Sequence, residues 1–437
     1  MKSFATALNL AWAYLRQRPL PTLLNILLLG LGVGTIIALI LTLAQAEERM
    51  ERDTAGVDLV IGAKGSPLQL ILSSVFQMDI PTGNVPVAEA APIISAPQVK
   101  LAIPLALGDS FKTFRIVGTE PVYADLYGAT LLEGRLWAKP LEAVVGAEVA
   151  RLTGLRIGQR FAGSHGLTEG GETHAGHPYI VVGLLKSTGT VADRLILTSV
   201  ESIWAVHDHE QEQRGKEPAG ALGRSAANVS KNAESAGHER ADQSSHDRQP
   251  DNQHDADKEI TAYLIQYSNP LAAASFPRMV NASTSMQAAA PAIEISRLFA
   301  LLGIGVSTLK IFAAIMMVCS ALGIFIGLMN TLNERREDLA LLRMLGATPA
   351  TVFFTVALQG FALGLLGVIL GLLLGHLGAE WMGFAIQKTH RIYLTGWVFV
   401  KEEVAIVIAA LVLAIFAALV PAWRAYRNAV SETLNDR

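Results

Sequence analysis

Four long apolar segments limit most strongly what this chain can fold into. They lie at about 20–44, 311–332, 351–375 and 403–420. As a helix of about 1.5 Å per residue, the first measures roughly 37 Å, enough to cross a hydrocarbon core of about 30 Å, and it carries no charge. Because 51% of the 437 residues are hydrophobic and only 17% are charged, we expect part of the surface to face lipid. The sequence therefore predicts an α-helical membrane protein with four transmembrane helices.

The N-terminal part of the chain allows two alternatives. The first apolar segment resembles a signal peptide with a cleavage site at 44–46, but its length exceeds the about 7–15 residues typical of that class, so a retained span is favoured. Residues 1–19 form either an extension of this span or a cytoplasmic amphipathic helix, separated from it by Pro19 and Pro21. The cytoplasmic amphipathic helix is favoured, because one of its faces would be apolar: Phe4, Leu8, Trp12 and Leu15.

Positive charge indicates which loops are cytoplasmic. Basic residues precede the first span, lie between the second and third, and follow the fourth: Lys2, Arg16, Arg18, Arg335, Arg336, Arg343, Arg424 and Arg427. By the positive-inside rule, both termini and the loop at 333–350 are cytoplasmic, as is the tail at 421–437. The region at 47–295 and the short loop at 376–402 are then extracytoplasmic.

The extracytoplasmic region has the pattern of a large mixed α/β domain between spans one and two. Short apolar runs separated by turn residues predict strands at 99–107, 111–120, 143–150 and 179–190. Candidate nucleophiles such as Ser187 have no surrounding motif such as G-x-S-x-G, so we expect no catalytic site and no cofactor bound directly. The net charge of -3 gives no indication of nucleic-acid binding.

Two stretches flank this domain. Val57–Val85 predicts a strand, a turn and an apolar helix, which either packs within the fold or faces the route of a lipid-like substrate. Leu72 and Phe76 are the candidate substrate-facing residues. From Ile293 onward, apolar residues at helical spacing predict a stalk that is continuous with the second span, over 296–332.

The segment at 207–258 differs in composition from the rest of the domain. It is polar and low in complexity, with too few large apolar residues to fold, so we predict a disordered insertion. Its histidines allow a second interpretation, weak zinc binding by imidazole and carboxylate groups. The candidate metal ligands are His207, His209, His238, His246 and His254.

The cytoplasmic loop carries the most specific motif, NERREDLALLRMLGATPATVFFTVALQG (Asn333–Gly360). Charges at 334–338 precede regularly spaced leucines, which predicts a short amphipathic helix that Gly346 can end. In this form the loop resembles the E-R-R-x-E-[IL]-[AG]-[IL]-L-R-[AM]-[LI]-G-A signature of FtsX/MacB-type ABC transporter permeases. The segments Val144–Phe161 and Tyr179–Trp204 are similar to the MacB-like extracytoplasmic core of that family.

The resemblance implies a non-catalytic permease subunit in the bacterial inner membrane. In this family a separate ATP-binding subunit uses the ATP, two permease chains pair, and ATP-driven movement is passed to the outside domain (mechanotransmission). By motif, the coupling helix at 333–350 would dock the ATPase through Glu334, Arg335, Arg336, Glu337, Leu342, Arg343, Leu345 and Gly346. Such a permease would export or extract an amphipathic substrate: a lipoprotein, a peptide or a small hydrophobic molecule. The alternatives are a signal relay that controls an extracytoplasmic protein, and a zinc-linked component of metal homeostasis.

Overall fold

The computed structural model describes residues 10–13, 16–17, 19–165, 176–206, 258–334, 341, 344, 346, 348–390 and 394–427. The chain forms two compact units. The first combines Met1–Glu48 with Leu298–Arg437, and the second is Arg49–Arg297. The first unit contains most of the long apolar helices, and the second contains the strands.

The described ranges contain long helices at both ends of the chain and short elements between them. The helices are α1 (Pro19–Thr54), α2 (Pro67–Ser74), α3 (Val87–Ile94), α4 (Val122–Leu126), α5 (Ala147–Thr153), α6 (Ala272–Ser283), α7 (Pro291–Glu334), α8 (Pro349–His390) and α9 (Lys401–Arg427). The strands are β1 (Leu59–Ala63), β2 (Val85–Pro86), β3 (Val99–Phe111), β4 (Phe114–Gly118), β5 (Leu131–Gly134), β6 (Glu142–Val145), β7 (Arg160–Phe161), β8 (Ser164–His165), β9 (Tyr179–Leu185), β10 (Ile196–Thr198), β11 (Glu259–Ile260), β12 (Ala262–Tyr267) and β13 (Met286–Ala289).

Helices α1, α7, α8 and α9 are long and apolar enough to cross a membrane, which confirms the four predicted spans. The 44 residues of α7 form one unbroken helix, as expected of a stalk that continues into the second span. Both α1 and α8 extend beyond the predicted spans, to Thr54 and His390, so the first half of the segment at 376–402 is helical. The hydropathy of the sequence identifies only the part of a helix that is stable in the hydrocarbon core. The backbone hydrogen bonds can extend the same helix beyond that core.

Glycines allow α8 to pack closely against α1. Three of them, spaced one helical turn apart, each oppose an apolar side chain, and an added Cβ atom would lie within 2.6–2.7 Å of that neighbour. The pairs are Gly367 with Leu29, Gly371 with Val33, and Gly375 with Ile37. The small-residue spacing in the sequence is typical of such close helix contacts in lipid.

The unit at 49–297 is built on one large mixed sheet. Among the described strands the order is β13-β1-β12-β3-β4-β10-β6-β9-β5, with β7 beside β9 and β8 beside β3. Most neighbours are antiparallel, but β4 with β10 and β6 with β9 are parallel. Strand β12, which follows the histidine-rich segment in the chain, pairs between β1 and β3. The predicted mixed α/β domain between the first two spans is thus confirmed.

Apolar side chains cover both faces of this sheet. Along β1, Leu59 and Ile61 belong to one buried cluster, whereas Val60 belongs to the other. On β4, Ile116 belongs to the first cluster and Val117 belongs to the second. Because these strands are buried on both sides, their sequences are continuous apolar runs without polar alternation.

The predicted strand at 143–150 is wrong in its second half. Strand β6 ends at Val145, and helix α5 begins after Gly146 and ends at Gly154, which has a φ of +75°. A side chain at Gly146 would collide with the backbone of Ala192 and Asp193, so the chain changes from strand to helix at this glycine. A short apolar run does not distinguish a buried strand from a buried helical turn, which explains the error.

Candidate functional site

Two long helices join the sheet at adjacent strands. Helix α1 ends at Thr54, and β1 begins at Leu59. Strand β13 ends at Ala289, and α7 begins at Pro291. The two strands are antiparallel with Val60 opposite Ala289, so the start of β1 lies beside the end of β13. The ends of the two helices therefore connect to the edge strand β13 and to its neighbour β1.

The last turn of α1 is fixed by a buried ion pair. The Asp53 carboxylate accepts hydrogen bonds from the Val191 amide (2.6 Å) and from Nη2 of Arg194 (3.3 Å). The Tyr127 hydroxyl donates to the backbone carbonyl of Asp53 (3.1 Å). Asp53 is 1% exposed and Arg194 is 8% exposed, so both charges are removed from water and depend on each other.

The loop that carries Arg194 is itself held rigidly. The Asp193 carboxylate accepts hydrogen bonds from the amides of Thr188 (2.8 Å) and Gly189 (2.9 Å). The same carboxylate accepts from the hydroxyls of Ser187 (2.7 Å) and Thr188 (2.9 Å). Four hydrogen bonds to one side chain hold this turn, so Arg194 faces Asp53 from a fixed position.

Sequence reasoning did not single out Asp53 and Arg194. Asp53 is the last residue of the charged run at 47–53, which served only to orient the first span. The two residues are 141 positions apart in the chain, so no local pattern joins them. The available signal is an acidic residue two to three turns beyond the apolar part of a span, which is common on exposed helix ends.

The predicted substrate-facing stretch packs on the sheet. Phe76 is 2% exposed and belongs to a core cluster with Ile71 and Val75, while Leu72 is partly buried against the same cluster. This placement supports the packing alternative for Phe76. A contact between Leu72 and a substrate remains a prediction.

A buried arginine holds the end of this stretch. Arg115 on β4 donates from Nη1 to the carbonyl of Ser73 (3.2 Å) and from Nη2 to the carbonyl of Asp79 (2.8 Å). Burial lowers the pKa of Arg115 to about 10, and the nearby Asp79 carboxylate opposes this shift. Such a guanidinium remains charged at neutral pH, and its bonds tie the segment after α2 to the sheet.

The predicted ATPase-docking residues fall largely outside the described residues. Glu334 is the last residue of α7, and Gly346 has a positive φ of +99°, which suits the end of a helix. The predicted start of the next helix at Thr348 and Pro349 is confirmed, since the Thr348 hydroxyl accepts from the Thr351 amide (3.3 Å). Outside the described residues lie Arg335, Arg336, Glu337, Leu342, Arg343 and Leu345.

The candidate metal ligands are also outside the described residues, namely His207, His209, His238, His246 and His254. Within the ranges that the structure describes, no group of three or more His, Cys, Asp or Glu side chains could hold a metal ion. Zinc binding by the histidine-rich segment therefore stays a prediction from the sequence.

Two family models match different parts of the chain. The MacB-like periplasmic core domain matches residues 22–233, and the FtsX-like permease C-terminal model matches residues 310–430. The first match begins in α1 and covers β1 to β10, the strands that precede the histidine-rich segment. The second covers the last three spans and the cytoplasmic loop between them.

Individual relatives are similar over shorter lengths. The lipoprotein-releasing system transmembrane protein LolC of Xylella fastidiosa is 30% identical over 149 residues, 29% of this chain and 36% of LolC. An uncharacterized ABC transporter permease of Methanocaldococcus jannaschii is 29% identical over 110 residues, 25% of this chain and 28% of the relative. The chain thus spans about a third of the length of the curated relatives it matches. The periplasmic region of MacB from Actinobacillus actinomycetemcomitans shares 11% identity at a TM-score of 0.31, over 57% of this chain and 95% of that one.

Four apolar helices, a mixed α/β domain between the first two, and matches to both family models define an ABC transporter permease in a membrane. Within that class the chain belongs to the FtsX/MacB-type permeases, as the motif of its cytoplasmic loop indicates.

Proposed function

We propose that this chain couples ATP hydrolysis by a separate ATP-binding subunit to movement of its extracytoplasmic domain. The observation that carries the proposal is the buried Asp53–Arg194 pair in the last turn of α1. Helix α1 leads into β1, which pairs with β13, the strand before α7. A flexible linker at this point would absorb a displacement of the helix. A helix end held by desolvated charges and hydrogen bonds would instead transmit it.

The ATP-binding subunit would dock at the loop from Glu334 to Gly346. The matches to ABC transporter permeases support an ATP-binding subunit as the partner. Two permease chains would assemble with two ATP-binding subunits in the inner membrane, with both termini cytoplasmic. Leu342 and Leu345 would supply apolar contacts, and Glu337 and Arg343 would supply polar ones.

The substrate would be amphipathic, and the complex would export it or extract it from the outer leaflet. The name of the Xylella fastidiosa relative, a lipoprotein-releasing system protein, supports a lipoprotein as one such substrate. A peptide or a small hydrophobic molecule is an alternative substrate. ATPase stimulation by an added lipoprotein would support transport, whereas stimulation by an extracytoplasmic protein alone would support a signal relay.

Affinity purification of the tagged chain from its native membrane tests the docking. The parent is compared with a Leu342→Asp/Arg343→Glu variant, and Arg156→Glu on the exposed surface of the outside domain is the matched control. We expect an ABC ATP-binding subunit to copurify with the parent and the control and to be lost from the loop variant. An ATPase retained equally by all three chains would contradict docking at this loop.

A further inference from the structure

The segment at 394–400, between α8 and α9, is not helical and exposes large apolar side chains. Trp397 and Phe399 are 76% and 75% exposed, and Val398 between them is exposed as well. Three consecutive apolar residues on a surface mark a place where the protein contacts something other than water.

The segment packs directly on α8. A side chain at Gly396 would collide with the backbone of His376, so the glycine lets the two backbones approach closely. The Gly396 carbonyl accepts from Nδ1 of His376 (2.5 Å), and the Gly396 amide donates to Glu380 (2.7 Å). Glu380 also accepts from the Thr395 hydroxyl (3.0 Å). These contacts fix the segment at the level of His376 along α8.

Helices α1 and α9 hold further backbone groups of the segment. Gln45 of α1 donates from Nε2 to the Thr395 carbonyl (2.8 Å) and accepts at Oε1 from the Thr395 amide (3.0 Å). At the start of α9, Glu403 accepts from the Val400 amide (3.0 Å) and contacts Nε2 of His376 (3.2 Å). Side chains thus satisfy backbone groups that would otherwise need water. A non-helical segment that lies against lipid requires this, because an unsatisfied backbone group is costly there.

The position of the segment along the spans places it at one boundary of the hydrocarbon core. The apolar part of α9 lies between Glu403 and Arg424, which are about 31 Å apart at a rise of about 1.5 Å per residue. This distance is close to the thickness of a hydrocarbon core, about 30 Å. The segment ends shortly before Glu403, and Trp381, which follows Glu380 on α8, is also exposed. Exposed aromatic residues at this level are typical of the interface between lipid and water.

We propose that the segment at 394–400 binds the membrane, with its three exposed apolar side chains among the lipids and its backbone held by the hydrogen bonds from α1, α8 and α9. The leaflet is the one next to the outside domain, because the end of α1 that carries Gln45 leads into that domain. Lys401, exposed directly after the segment, is long enough to reach the lipid phosphates. The proposal does not depend on coupling to an ATP-binding subunit.

Spin labelling of the full-length chain in lipid nanodiscs tests the proposal. Cys319 is the single cysteine, so Val398→Cys is made in a Cys319→Ser background. The relaxation of the label is measured with oxygen, which concentrates in lipid, and with a nickel chelate, which stays in water. We expect the label at 398 to respond more strongly to oxygen, as a label on Phe416→Cys near the middle of α9 does. A label on Arg156→Cys, exposed on the outside domain, should respond more strongly to the nickel chelate.

Two other results would overturn the proposal. A label at 398 that responds to the nickel chelate as strongly as the label at 156 means that the segment faces water. A label at 398 that is shielded from both reagents means that protein covers the segment, either a second copy of the chain or another partner. Trp397→Phe gives a check without a label. The emission that this variant loses should be quenched in the parent by lipids with brominated acyl chains, and quenching by aqueous iodide instead would contradict insertion.

The role of the hydrogen bonds is tested by Gln45→Leu, which removes both bonds to Thr395 at a similar side-chain size. We expect the label at 398 to become more accessible to the nickel chelate, because unsatisfied backbone groups draw the segment toward water. Thr42→Val, nearly one turn earlier on α1, is the matched control, since its hydroxyl donates to the carbonyl of Ala38 in the same helix (2.8 Å). It should leave the label unchanged. Equal lipid contact in Gln45→Leu and the parent would contradict the part assigned to these bonds.

Discussion

Replacement of Gly371 by alanine should destabilise the contact between α8 and α1. The added Cβ would lie 2.6 Å from Cβ and 2.7 Å from Cγ1 of Val33, where ordinary contacts are 3.4–4 Å. The helices would have to separate locally by roughly 1 Å, and overfilling a packed contact costs about 1–3 kcal/mol. Alanine also favours the helix by about 0.5–1 kcal/mol relative to glycine. The net loss of stability should be about 0–2.5 kcal/mol.

Gly378 on the same helix supplies the matched control. The nearest atom to a Cβ at Gly378 is Cβ of Ala38 at 4.0 Å, so alanine fits there without strain. Gly378→Ala should therefore stabilise the protein by about 0.5–1 kcal/mol through helix propensity alone. The free energies of unfolding of the two alanine variants should differ by about 1–3 kcal/mol. Helix propensity contributes equally to both variants, so the difference is the cost of overfilling the contact at Gly371.

Unfolding by SDS in mixed micelles, followed by tryptophan fluorescence, measures the difference. Val33→Gly removes the opposing Cβ, so Gly371→Ala should cost less in that background than in the parent, which a double-mutant cycle detects. If Gly371→Ala is as stable as Gly378→Ala, the helices do not approach as closely at Gly371 as described.

Three more perturbations address the outside domain. Asp53→Asn should lower the free energy of unfolding by about 3–5 kcal/mol, because Arg194 keeps a buried charge without its anion, and thermal unfolding would show it. The Arg135 guanidinium lowers the pKa of Glu142 to about 2 from an ordinary 4.5, so this stabilisation is present above pH 4.5 and is lost as the pH falls toward 2. Arg135→Ala should therefore flatten the acid side of the stability profile, measured by thermal midpoints. Phe76→Ala should cost about 3–5 kcal/mol because the ring is buried, with ATPase coupling per folded molecule unchanged.

Much of the fold follows from local patterns in the sequence. The spans are predictable because a helix must present an unbroken apolar surface to lipid. The strand and turn after Val57 are equally clear, since β1 and the helix that starts at Pro67 follow hydrophobic and turn residues in order. The length of α7 follows from continuous helical spacing without an internal proline.

Local sequence patterns do not indicate which distant strands and side chains pair with one another. Nothing local indicates that β12 lies between β1 and β3, or that Asp53 meets Arg194. The same applies to His376 and Glu403, which two different helices bring together. At Gly146 the local pattern allowed both strand and helix, and packing against the loop at 191–194 decided the outcome.

Whether ATP-driven movement reaches the outside domain is tested most directly by a distance measurement. Cys319 is the single cysteine, so Cys319→Ser with Arg156→Cys places one spin label on the exposed surface of each outside domain. Distances between the labels of two permease chains are measured in the complex with the ATP-binding subunit, with and without ATP. We expect the distribution to shift with ATP, and the shift to vanish when Ser307→Pro breaks α7. Identical distributions in both nucleotide states of the intact complex would contradict mechanical coupling.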